Sequence, residues 1–233
     1  MANYINKTIL SESYAHINVV ELTAEEKIEF EMDIKTYQAP RAKRMLGIDI
    51  EPVVRTEDGS LKVYLTVYGS LSDALGDFDD FRDALQNLYM SSKMVADACN
   101  LESLFLSGAS KKQLIRAEAR TGVVKATREL FDLSTYLAES RDKYSHKKLS
   151  LLIADLDRKV TTLNKNLTFA KDRLMVWREI HPLAKKIPAN IHNLQQSPDE
   201  EFQKTNKANV LETSNRIFGY IKSSLADVEA EEL

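Results

Sequence analysis

The chain has 233 residues, 43% of them hydrophobic and 29% charged, with a formal net charge of −3 and a sequence pI near 5.9. That balance belongs to globular proteins, and it excludes disordered chains, collagen-like repeats and strongly basic nucleic-acid-binding domains. Only 7 residues are glycine, about 3% against a usual share of roughly 7%, which argues against folds built on many tight turns or phosphate-cradling loops.

The single cysteine, Cys99, rules out an intrachain disulfide and sits in no CxxC or His-rich spacing. The first residues lack the cationic start and apolar stretch of a signal peptide, and the longest uncharged apolar run, near Leu149 to Ala154, is far shorter than a bilayer span. A cytoplasmic location is therefore expected. Charge is unevenly distributed: residues 1–70, 71–106, 107–186 and 187–233 carry net charges of −3, −5, +9 and −4. The basic middle faces either an anionic partner or its own acidic flanks.

Along the chain, Tyr14 to Leu22 is expected to be a strand on the strength of Ile17, Val19 and Val20. Thr23-Ala24-Glu25-Glu26 has the form of a capping box, so a helix should begin at Ala24. Ile28, Met32, Phe30, Ile34 and Tyr37 supply its apolar side, and Pro40 should end or kink it. Asp58-Gly59 predicts a two-residue hairpin turn. Pairing Glu57 with Ser60 then sets Thr56 opposite Leu61, Val54 opposite Val63, Pro52 opposite Leu65 and Ile50 opposite Val67 on an apolar face. Arg55 with Lys62, Val53 with Tyr64 and Glu51 with Thr66 form the polar one. Two strands are rarely stable alone, so a third strand or a covering helix is required. Ser70 then caps a long helix bearing Phe78, Phe81, Leu85, Leu88, Val95 and Cys99, which is expected to cover the hairpin.

Ser107-Gly108-Ala109-Ser110 marks a boundary, giving a strand-helix-hairpin-helix unit over 1–106 and a long-helix bundle over 107–233. The first bundle helix is expected over Lys111 to Glu139. From Leu149 the apolar steps are the most regular in the chain: Leu149, Ile153, Leu156, Val160, Leu163, Leu167, Ala170, Leu174 and Trp177. This predicts one continuous rod, paired antiparallel with the preceding helix because charges at the flanking positions give no support to a parallel dimer. Pro182 and Pro188 should stop it, leaving His181 to Gln196 as a loop, and Ser197-Pro198-Asp199 should restart a third helix. The fold class is α+β, predominantly α-helical.

No motif commits the chain to a reaction. Asp73, Asp77, Asp79, Asp80 and Asp83 crowd a helix start, where acids favour the positive end of the dipole. Ser145-His146-Lys147-Lys148 has a bare SxxK spacing without companion motifs, and His16, His146, His181 and His192 have no metal or triad spacing. No catalytic residue, cofactor or metal site is therefore expected.

Two partner-facing features stand out. The seam residues Val160, Leu163, Leu167, Leu174 and Trp177 are expected to pack against a partner subunit or a second copy, making a non-enzymatic assembly or adaptor protein. The alternative is nucleic-acid contact by Arg141, Lys143, Lys147 and Lys148 around Tyr144, with Lys112, Arg116, Arg120 and Arg128 striping the helix before them. Membrane insertion is disfavoured by Glu51, Arg55 and Lys62 on the hairpin's second face.

Overall fold

The computed structural model describes residues 9–19, 22–47, 52–57, 60–139, 146–193 and 200–231. Seven α-helices and a four-stranded antiparallel sheet make up these residues, an α+β and predominantly helical architecture. The chain divides into two compact units, Met1–Lys125 and Ala126–Leu233.

The N-terminal unit runs β1 (Ile9–Ile17), α1 (Ala24–Leu46), β2 (Pro52–Glu57), β3 (Leu61–Tyr68), a short α2 (Leu71–Leu75), α3 (Phe81–Leu106) and β4 (Leu114–Arg120). Its strands lie in the order β2-β3-β1-β4, all neighbours antiparallel. With α2 set aside, this is the split β-α-β arrangement of a β-α-β-β-α-β chain. The third strand that the hairpin requires is β1.

Strand β1 starts five residues before the expected Tyr14, through the polar segment Leu10-Ser11-Glu12-Ser13. Ser11, Ser13, Ala15 and Ile17 share the inner face, and the small hydroxyls are satisfied there rather than excluded. Ser11 Oγ donates to the Ser92 carbonyl of α3 at 2.6 Å. The β2–β3 pairing differs from expectation by two residues: Glu57 faces Lys62, Arg55 faces Tyr64 and Val54 faces Leu65. A slip of two preserves which face each side chain occupies, since the strand period is two. Leu61, Val63, Leu65 and Val67 are accordingly buried. Asp58-Gly59, Ile50 and Glu51 lie outside the described residues.

Thr23 caps α1 as expected, with both halves of the capping box formed. The helix continues through Pro40 to Leu46, where Gly47, at φ 72°, donates its N–H to the Lys43 carbonyl. One lost hydrogen bond is outweighed because Ala42 and Leu46 beyond the proline are buried in line with Phe30, Ile34 and Gln38. Ile28, Met32 and Tyr37 point to solvent instead. The single long helix expected from Ser70 is two helices. Ser70 caps α2, Gly76 ends it, and Asp80 starts α3 by accepting from the Asp83 N–H at 2.9 Å. Phe81, Leu85, Leu88, Val95 and Cys99 are buried as the spacing predicts. They lie mainly over β1 and β4, while α1 covers β2.

The largest departure is residues 114–120, where a helix was expected and β4 is found, paired with β1 through Ala117 opposite Ala15. A four-residue interval such as Arg116 to Arg120 is in phase with both the helical and the strand period. Pairing with β1 resolves the ambiguity, placing Arg116, Glu118 and Arg120 on one face and Ala117 and Ala119 on the other. Chain return through β4 carries the first unit past the boundary expected at residue 106. Just beyond it, Gly122 has φ +39°, and a Cβ there would lie 2.0 Å from the Ile9 carbonyl oxygen.

The C-terminal unit contains most of α4 (Gly122–Glu139), with α5 (His146–Asn166), α6 (Ala170–Asn193) and α7 (Glu200–Glu231). Lys159 to Glu129 at 2.6 Å and Lys148 to Tyr136 at 3.5 Å set α4 and α5 antiparallel, as the sequence predicts. Asn164 to Tyr220 and Asp157 to Arg216 run α7 parallel to α5, and His181 stacked on Phe218 with Arg178 near Glu229 runs it antiparallel to α6. The directions alternate along the chain, giving an up-down-up-down bundle.

The expected continuous rod is broken at residues 167–169, although its apolar steps continue across the break. The expected stop at Pro182 and Pro188 does not occur. Helix α6 includes both prolines, because Ile180, Ala184, Ile187 and Ile191 prolong the 4-3-4 spacing and are buried. Burial of four more side chains outweighs the amide bonds the prolines cannot make. The expected third helix is α7, which buries Val210, Ile217, Ile221 and Val228.

Candidate interaction surfaces

All five seam residues, Val160, Leu163, Leu167, Leu174 and Trp177, are buried within the chain. The seam is therefore covered within the chain. Of the basic tip, Arg141 and Lys143 lie outside the described residues, as does Tyr144. Lys147 and Lys148 begin α5, both exposed, with Lys148 Nζ donating to Tyr136 Oη.

No group of three or more His, Cys, Asp or Glu side chains gathers for a metal among the described residues. Asp80 and Ser70 are occupied as helix caps. Cys99 is fully enclosed, and burial, partly offset by hydrogen bonds with Ser13 and Ser103, pushes its thiol up to about 11. A thiol held protonated in this way is a poor nucleophile.

Two surfaces of the N-terminal unit were not singled out from the sequence. The first is a stripe of exposed apolar side chains on α3: Met90 (46% exposed), Met94 (54%), Leu101 (66%) and Phe105 (78%). At 3.6 residues per turn they fall within an arc of about 60°, opposite the face that α3 buries. Ile28 and Met32 of α1 and Ile115 of β4 are exposed as well. Exposed apolar side chains aligned on one helix face are the form an association surface takes. The signal was present in the sequence, but the same helix carries a more regular inward stripe, and only burial shows which of the two is spare.

The second is the outer face of the sheet, where the registers align three rows across the four strands. The middle row is Arg55, Tyr64, Tyr14 and Glu118, from β2 to β4. On one side run Glu57, Lys62, His16 and Arg116, and on the other Val53, Thr66, Glu12 and Arg120. Tyr14 and Tyr64 meet at 4.9 Å between ring centroids, tilted by 43°. The Arg55 guanidinium lies 4.5 Å over the Tyr64 ring, and those of Arg120 and Arg116 lie 5.3 and 6.0 Å from Tyr14.

Carboxylates hold this array in place. Arg120 bonds Glu12 at 2.7 Å and Glu118 at 2.5 Å, while Arg116 pairs with Glu118 from the other side. Burial alone would raise the Glu118 carboxyl, but the hydrogen bonds and charges of Arg120 and Arg116 outweigh it and hold the group below its ordinary range. Burial, with smaller contributions from Glu57 and Tyr14, raises the Tyr64 hydroxyl. His16 Nε2 lies 2.6 Å from Ser60 Oγ. Of the stripe expected on a helix, Arg116 and Arg120 stand here.

No protein-family model, curated protein or solved structure matches this chain. No helix among the described residues is long and apolar enough to cross a membrane.

Proposed function

We propose that the chain is a non-enzymatic assembly protein that associates with a second copy of itself through the apolar stripe of α3. The observation that carries this reading is the exposure of Met90, Met94, Leu101 and Phe105 on one narrow face. Their spacings of 4, 7 and 4 read the same in either direction. Two α3 helices crossing antiparallel about Asp97 and Ala98 therefore set Met90 opposite Phe105 and Met94 opposite Leu101, the self-complementary match of a two-fold contact. Full burial of such a side chain contributes about 1.5–3 kcal/mol, and a two-fold contact counts each residue twice. The Lys93–Asp97 pair beside the axis, at 2.7 Å within each helix, lets the centre close without an unpaired charge.

The test is mass by light scattering over a concentration series. The wild-type chain should exceed the single-chain mass, and Met94→Glu with Leu101→Glu should return it to that mass with unchanged circular dichroism. A wild-type chain that stays single throughout defeats self-association, and native mass spectrometry would then show whether a different protein covers the stripe.

A further inference from the structure

We propose that the outer face of the β2-β3-β1-β4 sheet binds single-stranded nucleic acid, with Tyr64 as the stacking ring and Arg55, Lys62 and Arg116 as its phosphate and base-plane contacts. This goes beyond the assembly reading and rests on a different face of the unit.

The first argument is the position of the rings. Tyr64 and Tyr14 stand side by side on β3 and β1, the two central strands, in the middle row of the face. Helices α1 and α3 pack on the opposite side, where Ser11 and Thr56 bond to them. Open four-stranded sheets that read single-stranded RNA stack bases on aromatic side chains of this kind, and every base has a π-face, so stacking tolerates any sequence. Tyr14 is enclosed by its neighbours, whereas Tyr64 is only half-buried. Tyr14 is therefore a positioning residue that props the Tyr64 ring.

The second argument is the arrangement of cations. Arg55 is exposed, with its guanidinium carbon 4.5 Å over the Tyr64 ring, so it covers that face of the ring and itself offers the outer plane on which a base stacks, since a guanidinium plane accepts a base as an aromatic ring does. Arg116 is 59% exposed at the far edge, two strands from Tyr64. Lys62 stands one row away from Tyr64 on the same strand, 3.6 Å from Glu57. Neighbouring strands are about 4.8 Å apart and rows about 6.7 Å, so these groups flank a bound base at spacings a flexible single strand can follow. Arg120 is consumed by Glu12 and Glu118, and this network fixes β4 and with it Arg116.

The third argument is charge, and it limits the affinity. Four cations (Arg55, Lys62, Arg116, Arg120) and three carboxylates (Glu12, Glu57, Glu118) share the face, leaving a small positive excess. Stacking must therefore carry much of the binding. Salt dependence should be shallow, a slope of about −2 for roughly three phosphates at −0.7 each on a single strand. A duplex hides its base faces and should bind far more weakly.

The experiment uses the full chain and fluorescently labelled single-stranded RNA and DNA of mixed sequence, about ten nucleotides long, the range of a single-strand site. Anisotropy is followed across salt, with the blunt duplex and polyglutamate of equal length as controls. Single strands should bind best, and Tyr64→Leu should weaken binding on the order of tenfold or more. Arg55→Ala and Arg116→Ala should each flatten the salt slope by about 0.7. Tyr14→Phe, which keeps the prop, should bind as the wild type does. Should Tyr64→Leu fail to fold, the two arginine variants decide through the slope. The proposal is overturned if no single strand binds at low salt, if polyglutamate or duplex binds equally well, or if Tyr64→Leu and both arginine variants bind like wild type. In the last case Lys147→Ala with Lys148→Ala would assign the binding to the start of α5.

Discussion

The two units use regular apolar spacing in opposite ways. In the C-terminal unit the most regular pattern in the chain, from Leu149 to Trp177 and on through Ile191, is buried against helices of the same unit. In the N-terminal unit α3 carries two apolar stripes: one sits on the sheet, and the other, with Phe105 and Leu101, faces outward. Regularity of a seam therefore says that it will be covered and nothing about what covers it. The deciding quantity is how many apolar faces the neighbouring elements can accept, and the bundle has enough helices for its one seam.

The sharpest way to break this comparison is to make the same kind of truncation in both places. Leu163→Ala opens a cavity inside the bundle and should cost about 2–5 kcal/mol. Phe105→Ala removes a larger side chain from solvent and should change the stability of a dilute single chain by no more than about 0.5 kcal/mol. Trp177 is the only tryptophan and is buried in the bundle, so its fluorescence during urea unfolding reports the first directly. Circular dichroism reports the second. Comparable losses from the two variants would mean that the α3 stripe is covered within the chain.

A somewhat smaller loss should follow from Gly122→Ala, which tests whether β4 belongs to the first unit's core. The left-handed backbone alone costs about 1–2 kcal/mol for a residue with a Cβ, and the new methyl would meet the Ile9 carbonyl at 2.0 Å. Either β1 or the start of α4 must move, and hydrogen exchange should show faster opening of the β1–β4 ladder. Protection unchanged at Tyr14 and Ala15 would contradict the close approach of these two segments.

What could be read in advance follows from the physics of each element. Local caps were legible at Thr23 and Ser70, which depend on residues three apart, whereas the Asp80 cap was hidden within a helix expected to run unbroken from Ser70. Strand faces in the hairpin were legible because they depend on parity, while the register itself was not, since β3 pairs with β1 on its far side as well as with β2. Residues 114–120 misled because Arg116 and Arg120 satisfy either period, and only pairing with β1, some hundred residues earlier, makes the strand. The prolines of α6 misled in the other direction, since a local rule lost to long-range packing of Ile187 and Ile191. The sheet's outer face was invisible for the same reason: Arg55, Tyr64, Tyr14 and Glu118 become a row only when four distant strands align. The seam residues were read correctly as apolar and spaced, but they were expected to pack against a partner and are instead buried within the chain.

The smallest effect contrasts the two faces of the sheet through their ionisable groups. Outside, Glu118 is held below its ordinary value of 4.5 by Arg120 and Arg116 against the opposing effect of burial. A carboxyl with a lowered folded-state pKa adds stability that is present above the unfolded value and is lost as pH falls through the folded one. Inside, Cys99 is raised from 9.0 to about 11 by burial. The sign is reversed: its contribution is intact below pH 9.0 and disappears as pH climbs towards about 11. Glu118→Gln should therefore flatten the stability profile below pH 4.5 and leave the alkaline limb unchanged, while Cys99→Ser, beyond a uniform loss from burying a hydroxyl, should change the shape of the alkaline limb alone. Acid unfolding of Glu118→Gln that follows the wild-type curve at every pH would show that the carboxylate does not organise Arg116 and Arg120, and the row across the sheet would lose its anchor at β4.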